Sequence, residues 1–292
     1  MKLLICIDDT DNLESKGTGS IASEMTGIIE QNGWGKCGII SRHQLILHPD
    51  VPYTSHNSSM CFDAEIGDRY FDQLKGTLAD YLGAESVPDS DPGICIAALE
   101  TIKNPRALIE FGFRAKWEVL SKDQAYKIAS ETGVFLEEKG GSGEGIIGAL
   151  AGVGLRLNGN DGEVKGGIET LIKGESYTVE QLLQEELIFA VCTIDMQSLD
   201  PDKNVQIKWK AKPVLHDGKP VLLVALNSQN EWVTLAKNEM RQFGDDRASI
   251  EACPKYKADV PEETVDINDN ARSCFNCLYR RWTENSFMCT LK

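Results

Sequence analysis

Three carboxylates follow a short apolar stretch at the start of the chain. Residues 2–7 read Lys-Leu-Leu-Ile-Cys-Ile, and Asp8, Asp9 and Asp11 come directly after them. Carboxylate oxygens are hard ligands, and Mg²⁺ in proteins is commonly held by one or two carboxylates together with substrate phosphates. Because charges of one sign repel each other, the cluster favours a bound cation. The alternative is an Asx-rich turn that its own side chains stabilise.

A turn of small residues, Gly17-Thr18-Gly19, links these acids to a helical pattern over residues 18–31. Thr18 is of the residue type that caps helices with its hydroxyl group, and that is one interpretation. The other is a phosphate site, in which glycine lets the backbone approach the ligand or Thr18 contacts it. The residues alone leave both interpretations open.

A second glycine-rich turn, Gly141-Ser-Gly-Glu-Gly145, opens a helix of small residues over 146–155 and includes Gly143, Glu144 and Gly145. Free N–H groups at a helix N-terminus can bind phosphate. The turn matches neither the Walker pattern nor the dinucleotide-binding fingerprint. A close crossing of the helix with a neighbouring element is an equally good explanation of its glycines.

A polar loop after the second predicted strand carries His48, His56, Asn57 and Ser58. Prolines within it exclude regular structure. No His-Glu-x-x-His pattern accompanies the two histidines, so a metal site is not indicated. We expect these side chains to contact substrate or phosphate, with ordinary loop polarity as the alternative.

Four cysteines near the C-terminus supply enough soft ligands for a tetrahedral Zn²⁺ ion or an iron–sulfur cluster. They are Cys253, Cys274, Cys277 and Cys289. Their spacing fits no standard zinc finger, and redox-active or free thiols are the alternative. Arg280, Arg281 and Trp282 lie among them and could grip a nucleic acid by charge and stacking, or pack the tail onto the body.

The remaining five cysteines lie inside predicted strands, and we expect them to be small core residues. They are Cys6, Cys37, Cys61, Cys95 and Cys192. Nine cysteines without an export signal favour thiols or metal ligands over disulfides. No apolar run approaches the roughly 20 residues of a membrane span. The sequence therefore predicts a cytoplasmic protein.

Composition narrows the range of partners. The chain has 292 residues, 41% of them hydrophobic, which is typical of a globular protein. Its net charge of −15 opposes non-specific binding of nucleic acid, because phosphate contacts need clustered Lys and Arg. A local basic patch on an acidic body remains compatible with this charge.

The predicted secondary structure changes along the chain, from alternating strands and helices to a series of short strands. Strands alternate with helices over residues 1–155, which is typical of an α/β or α+β domain. After a short helix near Val179, five short strands follow, and they predict a small barrel, with an OB-fold as the leading expectation. We expect domains at 1–160 and 178–244 and a cysteine-bearing tail at 245–292.

Three stretches, in this order, resemble the archaeal TiaS family. They are Ile7-Asp-Asp-Thr-Asp11 with Gly17-Thr18, then Leu47-His-Pro-Asp-Val-Pro52 leading to His56-Asn-Ser58, and Gly143-Glu-Gly-Ile-Ile-Gly-Ala-Leu-Ala151. The family's enzymes are ATP-dependent synthetases that attach agmatine to the wobble cytidine of an isoleucine tRNA. The resemblance spans roughly residues 1–155.

The resemblance implies a kinase-like domain that binds ATP and Mg²⁺ through Asp8, Asp9 and Asp11. It also implies a ferredoxin-like subdomain followed by an OB-fold, and a phosphoacceptor role for Thr18. Gly17, Gly19 and the Gly143–Gly145 turn would then line the nucleotide site. His56, Asn57 and Ser58 would orient phosphate or acceptor.

This chain departs from the family where cations are expected. His56-Asn57-Ser58 stands in place of the family's Arg-Gly-Asn, and Glu144 in place of an arginine. The leading hypothesis is an ATP- and Mg²⁺-dependent enzyme that activates a tRNA cytidine, or a similar acceptor, for attack by an amine. The alternatives are an ATP-dependent kinase or ligase for a small molecule, and a non-catalytic nucleotide-binding regulator.

Overall fold

The computed structural model describes residues 1–235, except residues 13, 47, 49–50, 52–56 and 194–195, together with the backbone of residues 280–282 and 287–289. The chain divides into two compact units, Met1–Lys165 and Gly166–Lys292. The predicted division into domains at 1–160, 178–244 and 245–292 stays a prediction, because most of the third part lies outside the described residues.

Six strands of the first unit form one sheet in which every neighbouring pair is antiparallel. The strands are β1 (Lys2–Asp8), β2 (Gly35–Gln44), β3 (Ser58–Ile66), β4 (Gly93–Ala98), β5 (Phe135–Glu138) and β6 (Glu163–Val164), in the order β5-β4-β1-β3-β2-β6. The sequence left α/β and α+β open, and these pairings decide for α+β. β1 lies in the interior of the sheet, between β3 and β4.

Five helices cover the two faces of this sheet. They are α1 (Thr18–Gln31), α2 (Phe71–Glu85), α3 (Pro105–Arg114), α4 (Lys122–Thr132) and α5 (Gly145–Asn158). Side chains alternate across a strand, so Leu3, Ile5 and Ile7 of β1 pack with α1 and α2. Leu4 and Cys6 face the opposite way, into the core formed with α3, α4 and α5. β1 is therefore buried on both faces.

The helices differ from the sequence patterns in two places. The capping-box pattern Ser121-Lys-Asp-Gln124 predicts a helix through about Glu137, but α4 ends at Thr132 because Gly133 adopts a left-handed conformation with φ +77°. Residues 135–138 then form β5, which pairs with β4. The sequence reasoning did not identify α3, whose N-terminus is capped by the Asn104 side chain and followed by Pro105.

The second unit is rich in short strands, as predicted, but its described strands do not close into a barrel. They are β7 (Ser176–Thr178), β8 (Ala190–Cys192), β9 (Asn204–Gln206), β10 (Val214–His216), β11 (Lys219–Leu226) and β12 (Trp232–Thr234), with the short helix α6 (Val179–Leu182) after β7. The path β10-β11-β12-β9-β7 has no pairing between its two end strands, and β8 adds to β11.

The expected OB-like barrel is therefore not found in the described part of the chain. Closing a sheet requires strands that tilt and stagger far enough to meet around it, and five of these six strands are only three residues long. β8 pairs with β11, and β9 with β12, in parallel, whereas the other pairs are antiparallel. The unit is a mixed sheet.

The cysteines predicted as core residues all lie in strands. Cys6, Cys61, Cys95 and Cys192 are buried free thiols, which confirms that interpretation, and Cys37 is half-buried. Cys253, Cys274 and Cys277 lie outside the described residues. Cys289 belongs to a two-stranded pair of β13 (Arg280–Trp282) with β14 (Phe287–Cys289), of which only the backbone is described.

The helices in the described part of the chain include none that is long and apolar enough to cross a membrane.

Candidate functional site

Asp8 is the last residue of β1, and its side chain lies in the layer between the sheet and α5. It is only 8% exposed. A Cβ atom added to Gly148 of α5 would collide with the Asp8 carboxyl group, so the glycine makes this approach possible. Burial raises the pKa of Asp8 well above its usual range, and the charges of Asp9 and Asp11 raise it further. Asp8 is thus a buried carboxyl group whose surroundings favour its protonated form.

Asp9 has an unusual backbone conformation. Its φ of +54° lies in the left-handed region, which residues other than glycine rarely adopt. Burial raises the pKa of Asp9 to about 6, and the charges of Asp91, Asp11 and Glu144 act in the same direction, although a hydrogen bond from the Asp91 backbone opposes them. Strain of this kind persists only where the surrounding structure holds it, and it is common at functional sites.

Asp91 also belongs to this site, although residues 89–93 indicate in the sequence only a turn before the next strand. Its carboxylate accepts a hydrogen bond from the Ser142 N–H group. Its backbone carbonyl accepts one from the Gly145 N–H group at 2.9 Å. Asp91 therefore ties the turn before α5 to the end of β1. Its only sequence signal is an acid in a turn just before a strand.

The contacts of Asp91 change the expectation for the Gly143–Gly145 turn. We expected free N–H groups there, but Asp91 takes those of Ser142 and Gly145. Gly145 must be glycine, because an added Cβ would lie 2.3 Å from the Asp91 carbonyl oxygen. Glu144 is exposed beside the site and adds negative charge to it. A phosphate role for this turn stays a prediction.

Asp11 connects the acidic stretch to the start of α1. Its carboxylate accepts the Thr18 N–H group at 3.1 Å, while the Thr10 hydroxyl donates to the Thr18 hydroxyl at 3.0 Å. Gly17, not Thr18, is the N-cap residue, and no side chain of its own caps the helix. The interpretation of Thr18 as a cap is therefore wrong. Thr18 is 7% exposed and lies beside the acids.

The two glycines that flank Thr18 leave room for neighbours. A Cβ at Gly17 would lie 3.3 Å from the Asp11 carboxylate, and one at Gly19 would lie 2.8 Å from Cε of Lys165. Lys165 extends over the first turns of α1 and donates to the Ser23 hydroxyl at 2.7 Å. A cation that the sequence reasoning did not identify is thus held close to the start of α1.

In the loop after β2, the predicted ligands Asn57 and Ser58 form hydrogen bonds with neighbouring residues of the first unit. The Asn57 side chain donates to the Ile46 carbonyl at 2.6 Å, and the Asn57 carbonyl accepts the Leu45 N–H group at 2.8 Å. The Ser58 hydroxyl accepts a hydrogen bond from Nε of Arg42 at 3.0 Å. His48 is half-buried, and His56 lies outside the described residues.

A second group of charged side chains is buried in the first unit, and no pattern in the sequence predicted it. This buried ion network consists of Ser41, His43, Lys116 and Asp161. The Asp161 carboxylate lies 2.6 Å from Nζ of Lys116 and 3.0 Å from Nδ1 of His43. Nε2 of His43 lies 2.8 Å from the Ser41 hydroxyl, and Lys116 also donates to the Gln44 carbonyl at 3.0 Å.

The buried ion network is internally compensated. Burial alone would raise the pKa of Asp161, but the charges of Lys116 and His43 hold it below its usual value. Burial lowers the pKa of His43 even though Asp161 opposes this effect. Ser41 is completely buried and also donates to the Cys61 carbonyl at 3.0 Å, so its hydroxyl meets no substrate despite a Ser-His-Asp arrangement. The network holds the first unit together.

The acidic end of β1 has a donor set that suits Mg²⁺ with phosphate ligands. Its oxygens are hard, its charges share one sign, and burial raises the pKa of both Asp8 and Asp9. Within the part of the chain that the structure describes, no three His, Cys, Asp or Glu side chains are grouped to chelate a metal by themselves. The residues fit a cation that shares its coordination shell with phosphates.

Comparisons with known proteins point to one group of relatives. No protein-family model matches the chain. The chain is 29% identical over 163 residues to the isoleucine-tRNA 2-agmatinylcytidine synthetase TiaS of Pyrococcus horikoshii, a match that covers 54% of this chain and 37% of TiaS. It is 28% identical over 156 residues to an uncharacterized protein of Methanocaldococcus jannaschii, covering 53% and 50% of the two chains.

A crystal structure of TiaS in complex with an isoleucine tRNA and ATP matches 53% of this chain and 36% of that one, with 26% identity and a TM-score of 0.47. Because a score below 0.5 says little about the fold, the sequence similarity carries the relationship. The matches span between about a third and a half of the curated relatives. The chain therefore contains a region of distant homology to TiaS that covers about half of its length.

Proposed function

We propose that the first unit binds ATP with Mg²⁺ at the acidic end of β1 and activates a tRNA cytidine, or a similar acceptor, for attack by an amine. Asp8, Asp9 and Asp11 hold the metal, and Asp91 joins them. Mg²⁺, when bound, would neutralise phosphate charge, which is the main requirement of phosphoryl transfer. The distant homology to TiaS, an ATP-dependent enzyme, supports an enzymatic role.

The observation that carries the proposal is the burial of two adjacent acids, Asp8 and Asp9, beside further acids. Burial raises the pKa of both, the charges of neighbouring acids raise it further, and Asp9 is held at a positive φ. An Asx turn would need neither the burial nor the close approach of α5 at Gly148. Burying charges of one sign is costly unless a counter-ion is present. A bound cation would supply that counter-ion.

The remaining predicted residues surround that cation in the proposal. Gly17 and Gly19 let the backbone at the start of α1 approach the nucleotide, and Thr18 is the phosphoacceptor that the resemblance implies. The Gly143–Gly145 turn closes the other side, and His56, Asn57 and Ser58 orient phosphate or acceptor. Thr18 is 7% exposed, so its hydroxyl must leave Thr10 before it can accept a phosphoryl group.

The proposal is tested by following the label of γ-³²P-ATP in the presence of Mg²⁺, agmatine or another amine, and total tRNA. We expect Mg²⁺-dependent turnover by the full chain and its loss in Asp9→Asn. Asp72→Asn, an exposed acid of α2, is the matched control and should retain full turnover. Equal turnover by the wild type and Asp9→Asn would contradict the assignment.

A second candidate keeps the ATP site but replaces tRNA with a small molecule. The net charge of −15 favours it, and so does Glu144, which adds negative charge where the family carries an arginine. The two candidates differ in what stimulates turnover. Stimulation by total tRNA, and retention of tRNA that weakens steeply with salt, would favour the first candidate. Turnover that ignores tRNA would favour the second.

A further inference from the structure

Arg42 of β2 has a guanidinium group that the protein largely encloses but only partly bonds. Its side chain is 12% exposed. Nε donates to the Ser58 hydroxyl at 3.0 Å, whereas Nη2 is buried and has no hydrogen-bond partner in the described part of the chain. Buried charges in proteins are normally paired and hydrogen-bonded, because removing a charge from water is costly. The unpaired nitrogen therefore indicates an acceptor that the protein itself does not supply.

Glu163 of β6 is the acid opposite Arg42, and it does not fill this place. The two residues pair across the sheet, and Oε1 of Glu163 lies 3.6 Å from Nη1 of Arg42. That separation exceeds the range of a hydrogen bond, and it involves Nη1 and not Nη2. The contact is a loose ion pair that leaves Nη2 without an acceptor.

Arg156 of α5 shows how the same fold holds a buried arginine whose charge is compensated. Its Nη2 donates to the Asp63 carboxylate at 2.7 Å, and its side chain is even less exposed than that of Arg42. Its Nη1 is also buried without a partner, but the guanidinium group has an anion at hydrogen-bond distance. Arg42 is bonded to a hydroxyl group instead. Of the two arginines, Arg42 has the less compensated charge.

Arg42 lies in the part of the sheet that adjoins the acidic end of β1. It pairs with Met60, and Met60 pairs with Ile7, the residue before Asp8. Since neighbouring strands are about 4.8 Å apart, the main chains of Arg42 and Ile7 are about 10 Å apart. Residues directly opposite in an antiparallel sheet share a face, and Ile7 and Met60 pack in the core formed with α1. Arg42 is therefore on the face where α1 begins.

The bond to Ser58 directs the guanidinium group toward the acidic end. Ser58 is the first residue of β3, two residues before Met60. Because β3 is antiparallel to β1, this start of β3 lies beside the carboxyl end of β1. A guanidinium group that is held at Nε and has an unpaired terminal nitrogen is suited to a phosphate or carboxylate oxygen. An anion bound beside the acidic end is thus within its reach.

We propose that Arg42 holds a phosphate of the nucleotide through Nη2, and that Ser58 positions the guanidinium group for this contact. The inference rests on the proposed function, in which Mg²⁺ at the acidic end binds the same phosphate chain. Arginine and metal then neutralise that chain from two sides. Nη2 is covered in the unliganded protein, so the guanidinium group turns about its bond to Ser58 when the phosphate binds. The loose contact with Glu163 opposes this movement only weakly.

The test measures the affinity of the full chain for Mg²⁺–ATP by isothermal titration calorimetry. Arg42→Gln should weaken binding by about 10- to 100-fold, the effect of one hydrogen bond to a charged group. Arg42→Lys should weaken it less, because the charge remains while the planar fork is lost. Equal affinities of the wild type and Arg42→Gln would overturn the proposal.

Arg156→Gln is the matched control. It removes a second buried arginine, but one that lies about 16 Å along α5 from Gly145, at the end of the helix away from the acids. We expect its affinity for Mg²⁺–ATP to equal that of the wild type. An equal loss in Arg156→Gln and Arg42→Gln would mean that any buried arginine matters, and it would overturn the proposal.

Two further measurements separate a phosphate contact from a structural role. Inorganic triphosphate should compete with Mg²⁺–ATP, and Arg42→Gln should weaken its binding by the same factor as that of ATP. A variant that loses ATP affinity but binds triphosphate like the wild type would overturn the contact. Ser58→Ala keeps the cation and removes only its hydrogen bond, so it should weaken ATP binding by about 2- to 10-fold. Unchanged affinity in Ser58→Ala would overturn the positioning role.

Failure of this inference and failure of the proposed function give different results. A wild type that does not bind Mg²⁺–ATP would contradict the proposed function, and the role of Arg42 with it. Binding that is lost in Asp9→Asn but retained in full by Arg42→Gln would uphold the acidic site and overturn only the role of Arg42. We expect both variants to bind more weakly than the wild type.

Discussion

The first unit contains two sets of buried charges, and they are built in opposite ways. Asp161 and Asp8 are almost equally buried, at 5% and 8% exposure. Asp161 lies 2.6 Å from the Lys116 ammonium group, and its pKa is lowered. Asp8 has further carboxylates near it, and burial raises its pKa well above the usual range. At similar burial, the pKa of the carboxyl group is thus lowered beside a positive charge and raised beside negative charges.

We infer from this difference that the buried ion network has a structural role and that the acidic end of β1 has a functional one. The buried ion network contains its own counter-charge and needs nothing from outside. The acidic end of β1 lacks a counter-charge among the groups that set the pKa of Asp8 and Asp9, and we propose that Mg²⁺ with ATP supplies it. Removing a charge should therefore destabilise the first set and stabilise the second.

The largest effect is expected from Lys116→Met. Losing one partner of a buried pair leaves Asp161 uncompensated, so the free energy of unfolding should fall by about 3–5 kcal/mol. Chemical denaturation at pH 7 measures this change. Lys122→Met breaks the exposed pair with Glu138 and should cost less than about 1 kcal/mol. Equal losses in the two variants would mean that the network is not a compensated unit.

The next effect is a pH dependence caused by Asp9. Its pKa is raised from 3.8 to about 6 in the folded protein, so folding favours the protonated carboxyl group. Without ligand, the contribution of Asp9 to the free energy of unfolding should therefore fall as pH rises from about 4 to about 6, by up to about 3 kcal/mol, and stay level above that range. Denaturation across this pH range measures the slope.

Asp9→Asn removes this titration and is the variant that isolates it. Its stability should change less than that of the wild type between pH 4 and 6, and at pH 7 it should be the more stable protein when no ligand is present. Asp72→Asn should leave the pH profile unchanged, because that side chain is exposed. If the free energy of unfolding of the wild type instead rose between pH 4 and 6, and that of Asp9→Asn rose equally, the raised pKa of Asp9 would be contradicted.

A smaller effect concerns the close approach of α5 to the acidic end. Gly148→Ala would bring a methyl group against the Asp8 carboxyl group and should lower stability by about 1–3 kcal/mol, despite the better helix propensity of alanine. Gly76→Ala, in α2, meets no atom within 4 Å and should raise stability by about 0.5–1 kcal/mol. The melting temperatures of both variants show whether the contact with Asp8 or the helix propensity of alanine determines the change in stability.

Local patterns in the sequence were enough to predict many of the elements. The helix expected over residues 18–31 is α1, Thr18–Gln31, because its apolar spacing and its glycine-rich start are local signals. The five strands expected after residue 187 all have counterparts, β8 to β12. Gly133 is a stop signal that went unnoticed, and it ends α4 five residues before the expected end.

Features that depend on distant partners were not predictable in this way. His43 and Asp161 are 118 residues apart in the chain, and nothing near either residue indicates the other. The antiparallel pairing of β1 with both β3 and β4 and the pairing order of the described strands of the second unit are likewise set by tertiary packing. Asp8, Asp9 and Asp11 were recognisable because they are adjacent, whereas Asp91 joins them only through the fold.

The central claim is that Mg²⁺ and ATP bind at the acidic end of β1. The most direct test compares the melting temperatures of the wild type and Asp9→Asn at pH 7, each measured with and without Mg²⁺–ATP. Without ligand, Asp9→Asn should melt at the higher temperature because it lacks the buried charge. With ligand, the order should reverse, because binding stabilises only the protein that holds the cation. An equal shift of both proteins, or no shift of the wild type, would contradict the account.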